Sequence, residues 1–127
     1  MPHALIIDDN VRNVTVLVGL LEMEGLTSTR VTHPNQLNAA LVGLTQLDVV
    51  FLDLEMPGQN GYEVLAQLKA MPQLQTVPVV AYTVHVSEVQ VAHDQGFDGF
   101  LGKPINPDKF PGQLARILNG ERVWESF

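Results

Sequence analysis

Short apolar segments alternate with stretches of helical period along the whole chain. Residues 4–8, 49–53 and 77–82 are almost continuously apolar, which is typical of strands that are buried on both faces of a sheet. Residues 26–32 mix in Thr, Ser and Arg, so this strand is predicted to lie at an edge. A fifth, shorter strand is predicted near residues 98–101. The alternation favours a parallel sheet covered by helices, an α/β fold.

Apolar residues recur every three or four positions between these strands and after the last one, which predicts five helices. Ser87 and Gln90 form a capping-box pattern at the start of the fourth helix. Pro111 is tolerated only in a first helical turn, where its missing N–H is not needed. The fifth helix is therefore predicted to begin near Asp108 or Lys109.

Length, charge and cysteine content narrow the classes of protein to consider. The 127 residues, 46% of them hydrophobic, suit one domain over residues 1–127 with a short tail at 121–127. The formal net charge is −7 and no segment clusters Lys or Arg, which argues against direct nucleic-acid binding. The absence of Cys excludes disulfides, thiolate zinc sites and cysteine nucleophiles. With no basic leader and no membrane-length apolar run, we expect a soluble, cytoplasmic protein.

Polar residues follow four of the predicted strands. They are Asp8 and Asp9, Asp53, Thr83 and Lys103. Each has an ordinary explanation on its own, such as a helix cap, a turn hydroxyl or a solvated charge. The carboxyl ends of parallel strands meet at one edge of the sheet, however, and clustered carboxylates repel one another unless a cation neutralises them. An all-oxygen cluster suits Mg²⁺, so a magnesium site is predicted there.

Several motifs occur together in the order in which one family carries them. The matching stretches are residues 5–10 (LIIDDN), 53–58 (DLEMPG), Asn60-Gly61, Tyr82-Thr83 and 102–104 (GKP). With these motifs the chain resembles the CheY-like receiver domain of two-component response regulators over essentially its whole length. The resemblance implies a doubly wound, flavodoxin-like sheet of five parallel strands in the order 2-1-3-4-5. It also implies transfer of a phosphoryl group from a phosphohistidine of a sensor histidine kinase or phosphotransfer protein to Asp53.

The same resemblance assigns roles around the acceptor. The implied magnesium ligands are Asp8, Asp9, Asp53 and the backbone carbonyl of Glu55. Lys103 would contact one oxygen of the phosphoryl group, and the Thr83 hydroxyl would donate a hydrogen bond to another. The chain would then catalyse only its own phosphorylation and dephosphorylation, and we expect no enzyme activity on a separate substrate.

Phe100 occupies the place of the aromatic switch residue of this family, three positions before Lys103. Rotation of a phenyl ring inward would exchange exposure for burial without requiring a polar partner. We therefore expect phosphorylation to alter the face formed by the fourth helix, the fifth strand and the fifth helix. A downstream effector protein is expected to dock on that face.

Two positions depart from the usual receiver pattern. Val84 stands where receivers usually carry Ala or Gly, and its branched side chain would crowd the rim of the phosphoryl pocket. Glu55 places an anion two residues after the acceptor, and His85 lies two residues after Thr83. Our hypothesis is that Glu55 and His85 approach each other at the rim and form a gate that hinders attacking water.

Two alternatives stay open at this stage. One is an interaction module that keeps the receiver fold but is rarely phosphorylated, with Val84 crowding its site. The other is a haloacid-dehalogenase-type phosphatase, which carries an Asp-x-Asp motif after its first strand; Asp8-Asp9-Asn10 lacks that spacing. Trp124 and Phe127 lie in the tail, and three arrangements of this tail stay open: it folds back on the domain, it forms a dimer contact, or it makes no fixed contact.

Overall fold

A parallel sheet of six strands forms the centre of the computed structural model, which describes residues 2–56 and 59–125. The strands are β1 (His3–Ile7), β2 (Thr27–Val31), β3 (Val49–Asp53), β4 (Val79–Thr83), β5 (Gly99–Gly102) and β6 (Val123–Glu125). They lie in the order β2-β1-β3-β4-β5-β6, and every neighbouring pair is parallel. Because the strands are parallel, the carboxyl ends of β1, β3, β4 and β5 lie at one edge of the sheet.

In the part of the chain that the structure describes, five helices connect the strands. They are α1 (Val11–Met23), α2 (Leu37–Val42), α3 (Gly61–Lys69), α4 (Val89–Gln95) and α5 (Phe110–Leu118). Short 3-10 turns occupy Pro34–Gln36, Pro72–Leu74 and Val86–Glu88, and a small antiparallel hairpin pairs Glu55–Met56 with Gln59–Asn60. Within the described ranges, no helix has the length and apolar character needed to cross a membrane.

Helices cover both faces of the sheet, because successive residues of its central strands point to opposite faces and are apolar on each. Val50 and Leu52 of β3 pack in the core beneath α3 and α4, together with Phe100 of β5. Phe51 of β3 points into the opposite core, beneath α1 and α5, together with Tyr82 of β4. The all-apolar strands seen in the sequence are thus buried strands of a doubly wound sheet.

Local capping holds the two helices that begin closest to the acidic edge. The Asn10 side chain caps α1 by accepting a hydrogen bond from the Asn13 N–H, and the Asn60 side chain caps α3 in the same way. At the start of α3, a Cβ on Gly61 would come within 2.9 Å of the Leu54 Cα. Glycine is required there for α3 to approach the end of β3.

The structure confirms the α/β class, the doubly wound arrangement and the order 2-1-3-4-5, but the sheet has six strands instead of five. Residues 123–125 were predicted as part of a tail, and they instead pair with β5. Three residues carry too little periodicity to predict a strand, and their pairing depends on the tertiary position of β5. The tail therefore folds back, at least as far as Glu125; Phe127 lies outside the described residues, as do Pro57 and Gly58.

One predicted helix start is correct and another is wrong. Helix α5 begins at Phe110, directly after Lys109, with Pro111 in its first turn as predicted. The capping box at Ser87 is wrong, because residues 86–88 form a 3-10 turn and α4 begins only at Val89. Neither that turn nor α4 has a side-chain cap.

Candidate functional site

The polar residues singled out in the sequence meet at the carboxyl edge of the sheet. Asp8 follows β1, Asp53 ends β3, Thr83 ends β4 and Lys103 follows β5. All four are buried, whereas Asp9 is exposed beside them. Asp9, Asp53, Thr83 and Lys103 line an open cleft of about 200 Å³. The cleft gives solvent and small solutes access to an otherwise buried carboxylate.

Three carboxylates lie within reach of a single ion. Asp8, Asp9 and Asp53 each offer an oxygen, and these oxygens lie within 4.8 Å of one another. Carboxylate oxygens with room for water are the ligands that Mg²⁺ takes in proteins. The residues therefore fit a divalent oxygen-seeking cation, with exposed Asp9 on the solvent side and buried Asp8 and Asp53 below it.

Lys103 supplies a fixed positive charge to the same cluster. Its Nζ lies 3.2 Å from Asp8 Oδ2 and 3.5 Å from Asp53 Oδ1. The Lys103 side chain is only 7% exposed, so solvent screens these contacts weakly. The backbone N–H of Lys103 also donates to the Thr83 carbonyl, which fixes the end of β5 beside the end of β4. The ammonium is thus held next to both buried carboxylates.

Asp53 has an unusual protonation equilibrium. Burial is the main cause that raises the pKa of its carboxyl, to about 7, and the nearby charge of Asp8 acts in the same direction. The Glu55 backbone N–H, which donates to Asp53 Oδ1 at 3.0 Å, and the Lys103 ammonium oppose the increase. A cation bound by the three carboxylates would favour the ionised form, which is the nucleophilic form of any carboxyl group.

Asp8 is held by two further donors. The Asn10 backbone N–H donates to Asp8 Oδ1 at 2.8 Å, and the Tyr82 hydroxyl donates to Asp8 Oδ2 at 2.6 Å. The sequence pattern predicts no role for Tyr82 beyond its place beside Thr83. A phenol at the end of an otherwise apolar strand was the available signal, because a buried Tyr hydroxyl usually finds a partner.

The two residues of the proposed gate contact each other beside the cleft, which Glu55 lines. His85 Nε2 lies 2.8 Å from Glu55 Oε2, and both side chains are about half exposed, at 49% and 56%. The His85 backbone N–H donates to the Thr83 hydroxyl oxygen at 3.2 Å. Val84, which lies between Thr83 and His85 in the sequence, is 61% exposed and lines the cleft. The structure thus brings His85 into contact with Glu55, which lines the cleft.

The expected rotation of the Phe100 ring from an exposed to a buried position does not fit the structure. Its side chain is fully buried in the core beneath α3 and α4. The added strand β6 places Trp124 opposite Phe100, and Trp124 contacts the His93 ring of α4 with centroids 4.8 Å apart. Glu125 pairs with Arg116 of α5 at 2.8 Å. Strand β6 therefore covers the free side of β5 and links α4 to α5.

Comparison with known proteins agrees with this geometry. The family model for the response regulator receiver domain matches residues 4–115. The chain belongs to this receiver domain family. The matched segment includes every residue of the acidic cleft, and it ends before strand β6 begins.

Among proteins of similar sequence, the two-component response regulator ORR11 of Oryza sativa subsp. japonica is 26% identical over 119 residues. The alignment covers 92% of this receiver domain and 81% of that protein. The transcriptional regulatory protein CpxR of Escherichia coli (strain K12) is 32% identical over 120 residues, which are 93% of this chain and 50% of CpxR. The chain thus spans half the length of CpxR.

Solved structures show the same fold. The chemotaxis response regulator CheY4 of Vibrio cholerae superposes with a TM-score of 0.81 at 24% identity, covering 92% of this chain and 98% of that one. The signal receiver domain of a signal transduction histidine kinase from Syntrophus aciditrophicus gives 0.77 at 28% identity, covering 93% and 90%. The receiver fold is therefore found both in separate regulators and within a kinase.

Proposed function

We propose that this receiver domain accepts a phosphoryl group on Asp53 from a phosphohistidine of a sensor histidine kinase or phosphotransfer protein. The observation that carries the proposal is the buried Asp53 carboxylate, which faces a solvent-open cleft between the acid pair and the Lys103 ammonium. In this role the chain modifies itself and acts on no separate substrate, so it is a switch and not an enzyme in the usual sense.

The reaction follows from the residue types. An Asp53 carboxylate oxygen attacks phosphorus and forms an O–P bond while the N–P bond of the phosphohistidine breaks. The imidazole nitrogen keeps the electron pair of that bond. Magnesium, held by Asp8, Asp9, Asp53 and the Glu55 backbone carbonyl, would neutralise part of the phosphoryl charge. The Lys103 ammonium would pair with one phosphoryl oxygen.

Thr83 is the proposed sensor of the modified state. Its hydroxyl would donate a hydrogen bond to a phosphoryl oxygen on Asp53, while its oxygen can still accept from the His85 N–H. Such a bond exists only after phosphorylation, so it biases the loop from Val84 to the start of α4. Later attack of water on phosphorus releases inorganic phosphate and restores the Asp53 carboxylate.

Intact mass spectrometry tests the proposed function. The protein is incubated with a small phosphodonor, with and without Mg²⁺, and the expected result is a gain of one phosphoryl group that requires the cation. A folded protein that gains no phosphoryl group at saturating Mg²⁺ and donor would contradict the proposal. It would favour the rarely phosphorylated interaction module, in which Val84 at the cleft rim keeps the donor out.

Opening of the gate is expected to shorten the lifetime of the phosphorylated form. An exposed side-chain contact of this kind contributes about 0.2–1 kcal/mol, and loss of up to 1 kcal/mol from the closed pair corresponds to dephosphorylation up to about fivefold faster in His85→Ala. If the two side chains act as a unit, Glu55→Ala should give the same rate, and the double variant should be no faster than either single one. Phosphate release is measured after the donor has been removed.

Crowding by Val84 is the competing explanation for a slow reaction. Val84→Ala should then accelerate dephosphorylation, and its effect should add to that of His85→Ala. Effects of Glu55→Ala and His85→Ala that add fully in the double variant would show that the two residues do not form a gate.

The face formed by α4, β5 and α5 is the proposed docking surface for a downstream effector protein. Strand β6 belongs to this face, because it covers β5 and contacts both helices through Trp124 and Glu125. An effector would therefore meet β6 or displace it. Nucleic acid is not a proposed partner, given the net charge of −7.

Phosphorylation is expected to change the fluorescence of Trp124, the only tryptophan of the chain. Trp124 lies opposite Phe100 and against His93, so a shift of β5 or α4 changes its surroundings. Amide exchange from Val84 to Val91 should change together with it. Unaltered emission and exchange in a sample that mass spectrometry shows to be fully phosphorylated would rule out this face as the output surface.

A further inference from the structure

Tyr82 touches both charged partners at the base of the cleft. Its hydroxyl donates to Asp8 Oδ2 at 2.6 Å, and its ring centre lies 4.3 Å from Lys103 Nζ. The ring itself is buried and packs edge-on against Phe51, with centroids 6.2 Å apart. Tyr82 is therefore fixed by the core while its polar end reaches the metal-site carboxylate.

Asp8 Oδ2 receives two donors at once. Lys103 Nζ lies 3.2 Å from this oxygen and also 3.5 Å from Asp53 Oδ1, so the ammonium is shared between two carboxylates. When Lys103 pairs with a phosphoryl group on Asp53, its contact with Asp8 weakens. The Tyr82 hydroxyl then becomes the main donor that remains on Asp8 Oδ2, while the Asn10 N–H stays on Oδ1.

The direction of the Tyr82 hydrogen bond is fixed by chemistry. The Tyr82 hydroxyl carries a proton to donate, whereas a carboxylate oxygen only accepts, so the 2.6 Å contact runs from Tyr82 to Asp8 Oδ2. A carboxylate held in this way keeps its orientation toward a metal ion. Metal ligands in proteins are generally oriented by such outer hydrogen-bond partners.

We propose that Tyr82 is a positioning residue for phosphoryl transfer, which orients Asp8 for Mg²⁺ and keeps Asp8 Oδ2 paired while Lys103 turns to the phosphoryl group. The metal-orienting part depends only on the acidic cluster, and the part that concerns Lys103 rests on the proposed phosphoryl-acceptor function. The aromatic face of Tyr82 adds a second favourable surface for the ammonium of Lys103.

The test compares Tyr82→Phe with the wild type in Mg²⁺ binding, measured by titration calorimetry. The substitution keeps the ring, and with it the packing on Phe51 and the surface under Lys103, and removes only the hydroxyl. Loss of a donor to a metal ligand typically weakens metal binding by about 10- to 100-fold, and a roughly tenfold weaker affinity for Mg²⁺ is expected here. At saturating Mg²⁺, phosphorylation of Asp53 should still be slower than in the wild type.

Tyr62→Phe is the matched control. The Tyr62 hydroxyl also donates to a carboxylate, that of Glu88 at 3.0 Å, and its ring also packs edge-on against a phenylalanine, Phe97. Neither Tyr62 nor Glu88 lines the acidic cleft. This variant should therefore keep the wild-type affinity for Mg²⁺ and the wild-type rate of phosphorylation.

The possible results separate a positioning role of Tyr82 from a purely structural one, and failure of this role from failure of the proposed function. A Mg²⁺ affinity in Tyr82→Phe equal to that of the wild type, even with lower thermal stability, would overturn the positioning role and leave a structural one. Equal losses in both Phe variants would do the same. Weaker Mg²⁺ binding only in Tyr82→Phe, in a protein that takes up no phosphoryl group, would support the metal-orienting role while the proposed function fails. A wild type without affinity for Mg²⁺ would overturn both.

Discussion

Asp53→Asn is expected to make the metal-free protein more stable than the wild type at pH 8. The folded protein raises the pKa of Asp53 from 3.8 to about 7, mainly by burial, so ionising this group opposes folding. One pKa unit corresponds to about 1.4 kcal/mol, so this shift allows an increase in the free energy of unfolding of up to about 4 kcal/mol. Asparagine keeps the shape of the side chain and carries no charge.

The sign of the pH dependence follows from proton linkage. Between pH 4 and 7 the folded state retains a proton on Asp53 that the unfolded chain has released. The contribution of Asp53 is therefore fully present below about pH 4 and is lost as pH rises through about 7. The stability difference between Asp53→Asn and the wild type should widen over this interval and level off above it.

Urea unfolding in the presence of a chelator measures this difference at each pH. Asp94→Asn is the control, since it removes the same charge from an exposed carboxylate away from the cleft. Asp53→Asn and the wild type with equal stability at pH 8 would show that burial of Asp53 does not oppose folding. Added Mg²⁺ should narrow the gap, because the cation neutralises three clustered carboxylates in the wild type and only two in the variant.

Asp9→Ala is expected to remove most of the stability that Mg²⁺ confers. An ion that binds only the folded state stabilises it by about 2.7 kcal/mol at a concentration 100 times its dissociation constant. Asp9 contributes one of the three clustered carboxylates and is the exposed one, so its removal should not damage the core. The variant should therefore fold normally and respond weakly to the ion.

Thermal unfolding with increasing Mg²⁺ measures this response. Asp108→Ala carries the same change of charge at an exposed position before α5 and should respond to Mg²⁺ as the wild type does. If Mg²⁺ stabilises Asp9→Ala as much as it stabilises the wild type and Asp108→Ala, the ion binds elsewhere.

The parts of the fold that the sequence predicted correctly depend on strong local patterns. Apolar runs such as Val49–Asp53 are typical of strands that are buried on both faces, and their order in the sheet followed from the receiver motifs. The acidic residues and Lys103 were found because strand ends place them on one edge. The position of Pro111 limited the start of α5 to within two residues of the observed one.

The features that were missed depend on tertiary contacts. Strand β6 is three residues long and exists because Trp124 and its neighbours pair with the edge of β5. The hydrogen bond between Tyr82 and Asp8 joins residues 74 positions apart and depends on the register of β4. Ser87 has the right spacing for a capping box, but the 3-10 turn at Val86–Glu88 moves the start of α4 beyond it.

The sequence pattern also did not predict which residues cover Phe100. The motif placed an aromatic residue three positions before Lys103 but gave no information on what covers it. In the structure Trp124 lies opposite it on β6, a strand beyond the segment that matches the family. Movement of the output face is therefore expected to involve β6 as well as the Phe100 ring.

Mapping of the modified residue tests the central claim most directly. The protein is phosphorylated with donor and Mg²⁺, reduced with borohydride, which converts an aspartyl phosphate to homoserine, and analysed by peptide mass spectrometry. The expected result is homoserine at position 53 alone, absent without Mg²⁺ and absent in Asp53→Asn. Homoserine at Asp8 or Asp9, or at no position in a folded and magnesium-bound protein, would contradict the assignment of Asp53 as the phosphoryl acceptor.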